Sequence, residues 1–278
     1  NILVLGIPGG NHDGPTLSDS ITVMNYDTKT NIVRSIGVPR DVWSSTLRDK
    51  INSAYAYGEA KVEGGGLRLA KAEVGSIVGA PIQYAVVIDF NEFISLVDLV
   101  GGVEVNVEKS FVDKKFPIEG KGADECEGDT EFKCRYRTVS FKKGVTNMDG
   151  ETALSFVRSR NAEGDEGSDF SRNKRQQLVM GAIKERVAKI VLTFNLSKLE
   201  SLYGSVNKLV KRDISNQQLT YLLRNMIFHR NFKQSSTVLP QELFTVPDYN
   251  DYEGKYVLVP EDASFSAVHS YVRQYLSH

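Results

Sequence analysis

The amino-acid sequence predicts an α/β protein with three layers, α/β/α, around a central mixed sheet that contains antiparallel pairs. Short apolar, β-branched runs alternate with longer amphipathic stretches through most of the 278 residues, which indicates strands separated by helices. The run Asn25–Asn31 is rich in turn formers and indicates a hairpin, so at least one pair is antiparallel. Since no Pro- or Gly-rich linker divides the chain, a single domain over residues 1–278 is the simpler prediction.

The individual elements follow from the periodicity of the apolar positions. Alternating or β-branched runs predict strands at Ile2–Ile7, Ser20–Tyr26, Ile32–Val38, Ile82–Ile88 and Gly102–Val107. Amphipathic stretches predict helices at Gly66–Val78, Asn91–Leu99, Met148–Val157, Asp169–Ile190 and Asn216–Met226, with a last one near Ser264–Leu276. Asn147 or Asp149 is the predicted cap of the third helix, and Asp169 that of the fourth.

Residues 111–144 are predicted to leave the core as a surface excursion, because their periodicity is weak and their charges are many. This segment contains the only two cysteines, Cys126 and Cys134. A disulfide would close it into a hairpin and would indicate an oxidising, extracytoplasmic compartment. The alternative is a pair of free cytosolic thiols, which have too few Cys and His neighbours for a metal site. We expect the disulfide.

Charge and hydropathy exclude some classes of function. With 34 Lys and Arg against 35 Asp and Glu, the net charge is −1, which argues against nucleic acid as a partner. No apolar run reaches the ~18–20 residues of a membrane span. The sequence starts inside the apolar run Ile2–Ile7 without an initiator Met, and we expect that an upstream membrane anchor has been removed.

The densest chemistry lies between Arg158 and Gln177. In a helix that begins at Asp169, the residues Asp169, Arg172 and Gln176 share one face, and Arg175 lies nearby. Arg158 and Arg160, two apart, point the same way in an extended segment. Several guanidinium groups beside a carboxylate and an amide suit a phosphate or pyrophosphate. The alternative is an ordinary solvated basic surface.

Two upstream segments have the composition expected for the same kind of ligand. The loop after the first strand contains Asp13 and Asp19, hard oxygen ligands that suit Mg²⁺ or Mn²⁺; turn and capping roles are the alternative. After the third strand come Arg40 and Asp41, where the carboxylate is expected to hold the guanidinium in a bidentate pair. Lys50 is one more predicted phosphate contact.

Taken together, these segments resemble the LytR–CpsA–Psr family of cell-wall glycopolymer ligases. The matching segments occur in order along the chain: Leu17–Ile21, Val38–Trp43, Lys50–Tyr55, Val100–Val103, Asp149–Leu154, Arg158–Arg160 and Asp169–Gln176. Each segment alone is a weak signal, but the ordered set is specific. Two positions depart from many relatives: Leu17 replaces an arginine and Pro8 replaces an aspartate. Asp13, in an enlarged loop, is the candidate for the missing carboxylate.

The resemblance implies a membrane-anchored ectodomain on the wall side of the cell membrane. It also implies transfer of a phospho-linked glycopolymer from a polyprenyl pyrophosphate carrier to peptidoglycan, with Mg²⁺ or Mn²⁺ as cofactor. In this interpretation the catalytic residues around the reacting phosphates are Arg40, Arg158, Arg160, Asp169 and Arg172; the further substrate-binding residues are Lys50, Arg175 and Gln176; and those holding the metal are Asp19 and Asp13. Asp169 is a poor candidate for the base among so many arginines and would rather clamp one of them.

The resemblance also implies a cleft for the polyprenyl tail, lined by residues 90–100 or 183–192. From periodicity alone, packing of these helices into the core is favoured. Two other functions stay open: hydrolysis of the same pyrophosphate with water as acceptor, and a non-catalytic module that binds anionic polymer or lipid carrier during wall assembly.

Overall fold

The computed structural model describes residues 1–10, 12, 14–192, 204, 210–228, 233–261 and 264–277. Its strands are β1 Ile2–Ile7, β2 Ser20–Asp27, β3 Ile32–Gly37, β4 Trp43–Ser44, β5 Asp49–Lys50, β6 Tyr84–Asp89, β7 Val103–Val107, β8 Phe111–Pro117, β9 Tyr136–Phe141, β10 Gly144–Met148, β11 Lys211–Arg212, β12 Lys233–Val238, β13 Phe244–Thr245 and β14 Val259–Pro260. Its α-helices are α1 Ala54–Lys61, α2 Gly65–Val78, α3 Phe90–Leu99, α4 Gly150–Arg158, α5 Asp169–Leu192, α6 Asn216–Phe228 and α7 Ser266–Ser277.

The described residues form two compact units. The first comprises residues 1–8, 16–88 and 210–278, and the second comprises residues 9–15 and 89–209. Each unit has a hydrophobic core cluster of its own. No helix among the described residues combines the length and the apolarity that a bilayer crossing requires.

The first unit is built on a six-stranded sheet with the order β11-β6-β1-β2-β3-β12. β2 pairs antiparallel with both β1 and β3, whereas β12 pairs parallel with β3, so the sheet is mixed. In β1 every second residue is buried, namely Leu3, Leu5 and Ile7, because side chains alternate across a strand. The mixed sheet and the predicted hairpin at Asn25–Asn31 are thereby confirmed.

Helices α1 and α2 of the first unit pack backbone against backbone through glycines. A Cβ at Gly58 would lie 2.4 Å from the carbonyl oxygen of Gly65, and a Cβ at Gly66 would lie 2.6 Å from the Tyr55 ring. Tyr55 fills the space that these glycines leave and is almost completely buried. Helix α1 was not among the predicted helices, since its sequence has little amphipathic contrast.

The second unit contains α3, α4, α5 and the strands β7 to β10. Asp89 caps α3 in a capping box with Glu92. Asp149 accepts a hydrogen bond from the Thr152 N–H and caps α4 as predicted, while Met148 belongs to β10. The prediction that Asp169 caps α5 was wrong. The cap is Ser168, one residue earlier: its backbone is extended, and its Oγ accepts a hydrogen bond from the Ser171 N–H.

Residues 111–144 contain an antiparallel hairpin of β8 and β9. Cys126 and Cys134, between these strands, are joined in a disulfide. The buried apolar side chains of α3 and α5 that the structure describes belong to the hydrophobic core cluster of this unit; they include Phe90, Val97 and Ile183.

Candidate active site

In the first unit, sheet register places Asp19 and Arg40 at the same edge. Asp19 directly precedes β2 and Arg40 follows the end of β3, and the antiparallel register pairs Thr22 with Gly37. The Asp19 N–H donates to the Gly6 carbonyl at 2.8 Å, which holds the start of β2 against the end of β1. Two residues 21 apart in sequence therefore meet.

Arg40 forms an ion pair with Asp19, and this contact differs from the predicted one. Its Nη1 donates to Asp19 Oδ1 at 2.5 Å, whereas its Nε lies 3.7 Å from Asp41 Oδ2. The expected bidentate pair with Asp41 was wrong, because Asp41 Oδ1 accepts from Lys50 Nζ at 2.7 Å. Arg40 Nε is buried and makes no hydrogen bond to any residue that the structure describes.

Ion pairs link four charged side chains into one group, the edge cluster: Asp19, Arg40, Asp41 and Lys50. Each is partly exposed, with Asp19 the most open at 38% and Arg40 at 29%. The pairing of β4 with β5 places Lys50 opposite Trp43 and so close to Asp41. Two cations and two carboxylates linked in a row leave no net charge, so an added phosphate would compete with the carboxylates for the cations.

Asp49, next to Lys50, is the centre of a second polar group in the first unit. Burial acts to raise the pKa of Asp49, but hydrogen bonds from Tyr57 Oη at 2.5 Å, from the Lys50 N–H and from Lys255 Nζ at 3.2 Å outweigh it. The net pKa of Asp49 lies below its usual range. The same bond to Asp49 raises the pKa of Tyr57. Asp49 is therefore an anion that positions a tyrosine hydroxyl and an ammonium group.

In the second unit, a buried carboxylate organises the segment Arg158–Arg160. Asp113 in β8 is 0% exposed. Its Oδ2 accepts from Ser159 Oγ at 2.6 Å, from the Arg160 N–H at 3.1 Å and from the Asn161 N–H at 3.2 Å. Its Oδ1 accepts from the Lys115 N–H at 2.9 Å, at the irregularity of register in β8. Asp113 was missed in the sequence, although its alternation with Phe111 indicates an inward-facing strand position.

Arg158 is held by aromatic rings. Its guanidinium lies 4.1 Å from the ring centroid of Phe90 and 5.3 Å from that of Phe116. Such cation–π contacts orient the group while leaving N–H donors for other partners. Arg158 is the last residue of α4, and Arg160 follows it in the turn Ser159–Asn161 that Asp113 holds. Arg160 is half-buried.

Arg175 has a structural role in place of the predicted substrate contact. It is 3% exposed and donates to the carbonyl oxygens of Phe156 at 3.0 Å, Ser159 at 2.6 Å and Glu166 at 2.9 Å. Its Nη1 also pairs with Glu166 Oε2 at 3.0 Å. Burial lowers the pKa of Arg175, and the charge of Glu166 opposes this shift. The guanidinium thus fastens α5 to the end of α4.

Replacing Arg175 with alanine is expected to lower the free energy of unfolding by about 3 kcal/mol, because three carbonyls and a carboxylate lose a buried donor. The matched control is Lys174→Ala, which removes an exposed ion pair with Glu108 and is expected to cost below about 1 kcal/mol. Urea unfolding of both variants measures the difference. Equal urea midpoints for Arg175→Ala and Lys174→Ala would contradict the structural role of Arg175.

The remaining predicted residues are placed only in part. Arg172 and Gln176 are half-buried positions of α5. Asp169 is the first residue of that helix, but its side chain lies outside the described residues, as does Asp13. A cavity of about 390 Å³ in the second unit is lined by Phe111, Phe156, Arg175 and the charged residues of two surface ion pairs. Of the predicted site residues whose side chains the structure describes, it includes Arg175 alone.

Comparison with known proteins identifies relatives of the whole fold. A polyisoprenyl-teichoic acid–peptidoglycan teichoic acid transferase TagU of Bacillus mycoides is 29% identical over 240 residues, covering 85% of this chain and 66% of that protein. The chain thus spans slightly less than two thirds of that relative. The crystal structure of B. subtilis TagV matches with a TM-score of 0.68 at 24% identity, over 100% of this chain and 96% of the other.

A structure of TagT bound to LI-WTA matches with a TM-score of 0.65 at 22% identity, over 100% of this chain and 90% of that one. These structural matches show that the fold is shared. The sequence pattern of the LytR_cpsA_psr family matches residues 1–272. The segments that suggested the resemblance and the edge cluster lie inside this match, and the chain belongs to the LytR_cpsA_psr family.

Proposed function

We propose that this protein is a phosphotransferase that moves a phospho-linked glycopolymer from a polyprenyl pyrophosphate carrier onto peptidoglycan. The observation that carries the proposal is the edge cluster, in which Arg40 and Lys50 are held by carboxylates at an open edge of the sheet. Support comes from the names of relatives, which are teichoic acid transferases acting between a polyisoprenyl-linked polymer and peptidoglycan.

The chemistry requires neutralisation of charge more than covalent help from the protein. A hydroxyl of the acceptor attacks the phosphorus that bears the glycopolymer, a new P–O bond forms, and the bond to the departing polyprenyl phosphate breaks. The hydroxyl proton passes to water or to the departing phosphate, which also keeps the electron pair of the broken P–O bond. Negative charge grows on the leaving phosphate, and Arg40 with its planar fork is suited to bind two of its oxygens. Lys50 adds a point charge.

The arginines of the second unit are assigned to phosphate oxygens by the family resemblance. Two kinds of contact support this assignment: Asp113 holds the backbone of Arg160, and the rings of Phe90 and Phe116 orient the Arg158 guanidinium. Preorganised cations need no rearrangement when charge develops during the reaction. Arg172 keeps its proposed role as a phosphate contact, Gln176 its proposed role in binding the substrate, and Asp169 its proposed role of holding an arginine.

Mg²⁺ is the proposed cofactor, and the donor chemistry is compatible with it. Among the described residues, the Asp19 carboxylate hydrogen-bonds only to Arg40, and it is open at 38% exposure. Mg²⁺ in phosphoryl-transfer sites is commonly bound by one or two carboxylates together with substrate phosphates. Asp19 would hold the ion, with Asp13 as a proposed second ligand. When bound, the ion would draw negative charge away from the phosphates.

We also propose that the protein acts on the extracytoplasmic face of the cell membrane, held by an anchor upstream of Asn1. The disulfide between Cys126 and Cys134 supports an oxidising compartment. The proposed substrates, a polyprenyl carrier and peptidoglycan, meet at that face.

The test follows polyprenyl phosphate release and polymer attachment from a polyprenyl pyrophosphate-linked analogue, with and without peptidoglycan and with and without Mg²⁺. Asp19→Ala and Arg160→Ala are each expected to lower transfer at least about 100-fold, because Arg160 is proposed to balance phosphate charge and Asp19 to hold Arg40 and the metal ion. Circular dichroism checks that both variants stay folded.

Three other results would contradict the proposed residues or the proposed function. Unchanged transfer in both variants would remove this assignment of residues. Release of polyprenyl phosphate at the same rate without peptidoglycan would identify a hydrolase with water as acceptor. Tight binding of the analogue without turnover, with every acceptor and metal supplied, would indicate a carrier-binding module.

A further inference from the structure

The first unit has a cluster of aromatic rings beside the edge cluster. The backbone N–H of Trp43 donates to the Leu258 carbonyl, and the backbone N–H of Leu258 donates to the Asp41 carbonyl, both at 2.9 Å. These bonds bring residues 249–256 next to β4 and β5. The rings of Trp43 and Tyr252 meet edge to face with centroids 4.8 Å apart, and those of Tyr249 and Tyr256 lie 6.5 Å apart.

Several of these rings face solvent. Tyr249 is 51% exposed and Tyr256 is 41% exposed, and Tyr57 on α1 is 42% exposed. Grouped exposed aromatic rings cost solvation free energy and commonly mark a binding surface. Every exposed ring here is a tyrosine, which offers an apolar face and a hydroxyl together. This composition suits a ligand that is itself both apolar and rich in hydroxyls.

Polar groups with fixed positions border the rings. Asp49 holds the Tyr57 hydroxyl at 2.5 Å and Lys255 Nζ at 3.2 Å. Lys255 also pairs with Glu253 at 3.3 Å. Carboxylates accept and ammonium groups donate hydrogen bonds, so this border offers both kinds of partner to a hydroxyl-rich ligand.

Lys50 links the rings to the edge cluster. Its Nζ lies 6.0 Å from the ring centroid of Tyr256 and 2.7 Å from Asp41 Oδ1. The aromatic surface therefore begins where the proposed phosphate contacts end. A sugar joined to a phosphate at Arg40 and Lys50 would meet these tyrosines next.

We propose that Trp43, Tyr57, Tyr249, Tyr252 and Tyr256 form a platform that binds sugar rings of the glycan substrate. The proposal deepens the function proposed above and rests on it for the choice of a glycan. A pyranose ring has an apolar C–H face that packs on an aromatic ring, and hydroxyls around its rim that hydrogen-bond to carboxylates and amines. The sugar belongs either to the polymer donor or to the peptidoglycan acceptor, and the two share this chemistry.

The experiment uses Trp43, which is the only tryptophan in the chain. Its fluorescence is titrated with two probes, soluble glycan fragments of peptidoglycan and a hexosamine 1-phosphate. We expect at least one probe to change the emission saturably, and the probe that does so identifies acceptor or donor. Tyr256→Ala and Tyr249→Ala are each expected to weaken that binding about tenfold. Tyr221→Ala removes a 60% exposed tyrosine on α6 and is expected to leave the affinity unchanged.

No change of emission with either probe, together with no saturation transfer from protein to probe in NMR, would overturn the proposal. Equal affinity in wild type, Tyr256→Ala and Tyr249→Ala would overturn it as well. Failure here is distinguishable from failure of the proposed function, because Arg40→Ala is expected to lower transfer by about 10²–10³-fold in the functional assay without changing the platform residues. If transfer depends on Arg40 but no sugar binds the rings, the platform alone is refuted.

Discussion

Arg40→Ala is expected to lower the rate of glycopolymer transfer by about 10²–10³-fold, the usual effect of removing one preorganised group that stabilises transition-state charge. The variant should stay folded. Arg40 and its partner Asp19 are both partly exposed, so water replaces their mutual contact and the unfolding free energy should change by below about 1 kcal/mol. Single-turnover transfer with the polyprenyl pyrophosphate analogue measures the rate, and urea unfolding measures the stability.

Two variants accompany this measurement. Arg40→Lys keeps the charge but loses the planar fork, so we expect an intermediate rate. Arg273→Ala removes an exposed arginine on α7 and should transfer at the wild-type rate. If Arg40→Ala also transfers at that rate, Arg40 has no role in the reaction. If Arg40→Ala is inactive because it does not fold, Arg40→Lys still tests the role in transfer. Its ammonium group keeps the ion pair with Asp19, so this variant should fold.

Asp113→Ala is expected to lower the free energy of unfolding by about 3–5 kcal/mol. The carboxylate is 0% exposed and accepts four hydrogen bonds, three of them from the turn Ser159–Asn161. Without it, the buried Ser159 hydroxyl and three backbone N–H groups lose their acceptor. Transfer should fall as well, because Arg160 loses the turn that holds its backbone.

The control for Asp113 is Asp129→Ala. Asp129 accepts from the Glu131 and Lys133 N–H groups at the surface, where water can replace it, so the free energy of unfolding should change little. Asp113→Asn keeps the volume but places an amide against N–H donors, and an intermediate stability is expected. A loss for Asp113→Ala no larger than that for Asp129→Ala would show that Asp113 does not hold the turn.

Local patterns in the sequence were sufficient for the elements that position the site. The strand β1 and the first half of β2 alternate buried and more open positions, and alternation depends only on neighbouring residues. The cap Asp149 follows from the preference of a short polar side chain for free helix N–H groups. Helix α1 was missed because its apolar residues do not form one stripe, and glycines rather than a stripe pack it on α2.

Partners of the charged residues depended on contacts far apart in sequence. Asp41 is adjacent to Arg40 in the chain, yet Arg40 donates to Asp19, 21 residues away, because sheet register brings these two together. Arg175 lies in the same basic run as Arg172, but its helix turns it into the interior, onto carbonyls of α4 and the segment that follows. No periodicity distinguishes a buried arginine from an exposed one.

By itself, the sequence determined the mixed α/β class, the approximate bounds of helices α2 to α7 and of strands β1 to β3, β6 and β7, the segments that identify the family and the kind of ligand that its arginines suit. These properties depend on residue type and short-range spacing. Only the tertiary structure decided that Asp113 anchors the turn of Arg160, that Arg175 is structural, and that tyrosines 249–256 lie beside Lys50. The physical reason is that burial and hydrogen-bond partners are set by which distant segments pack together, and residue type alone does not contain that information.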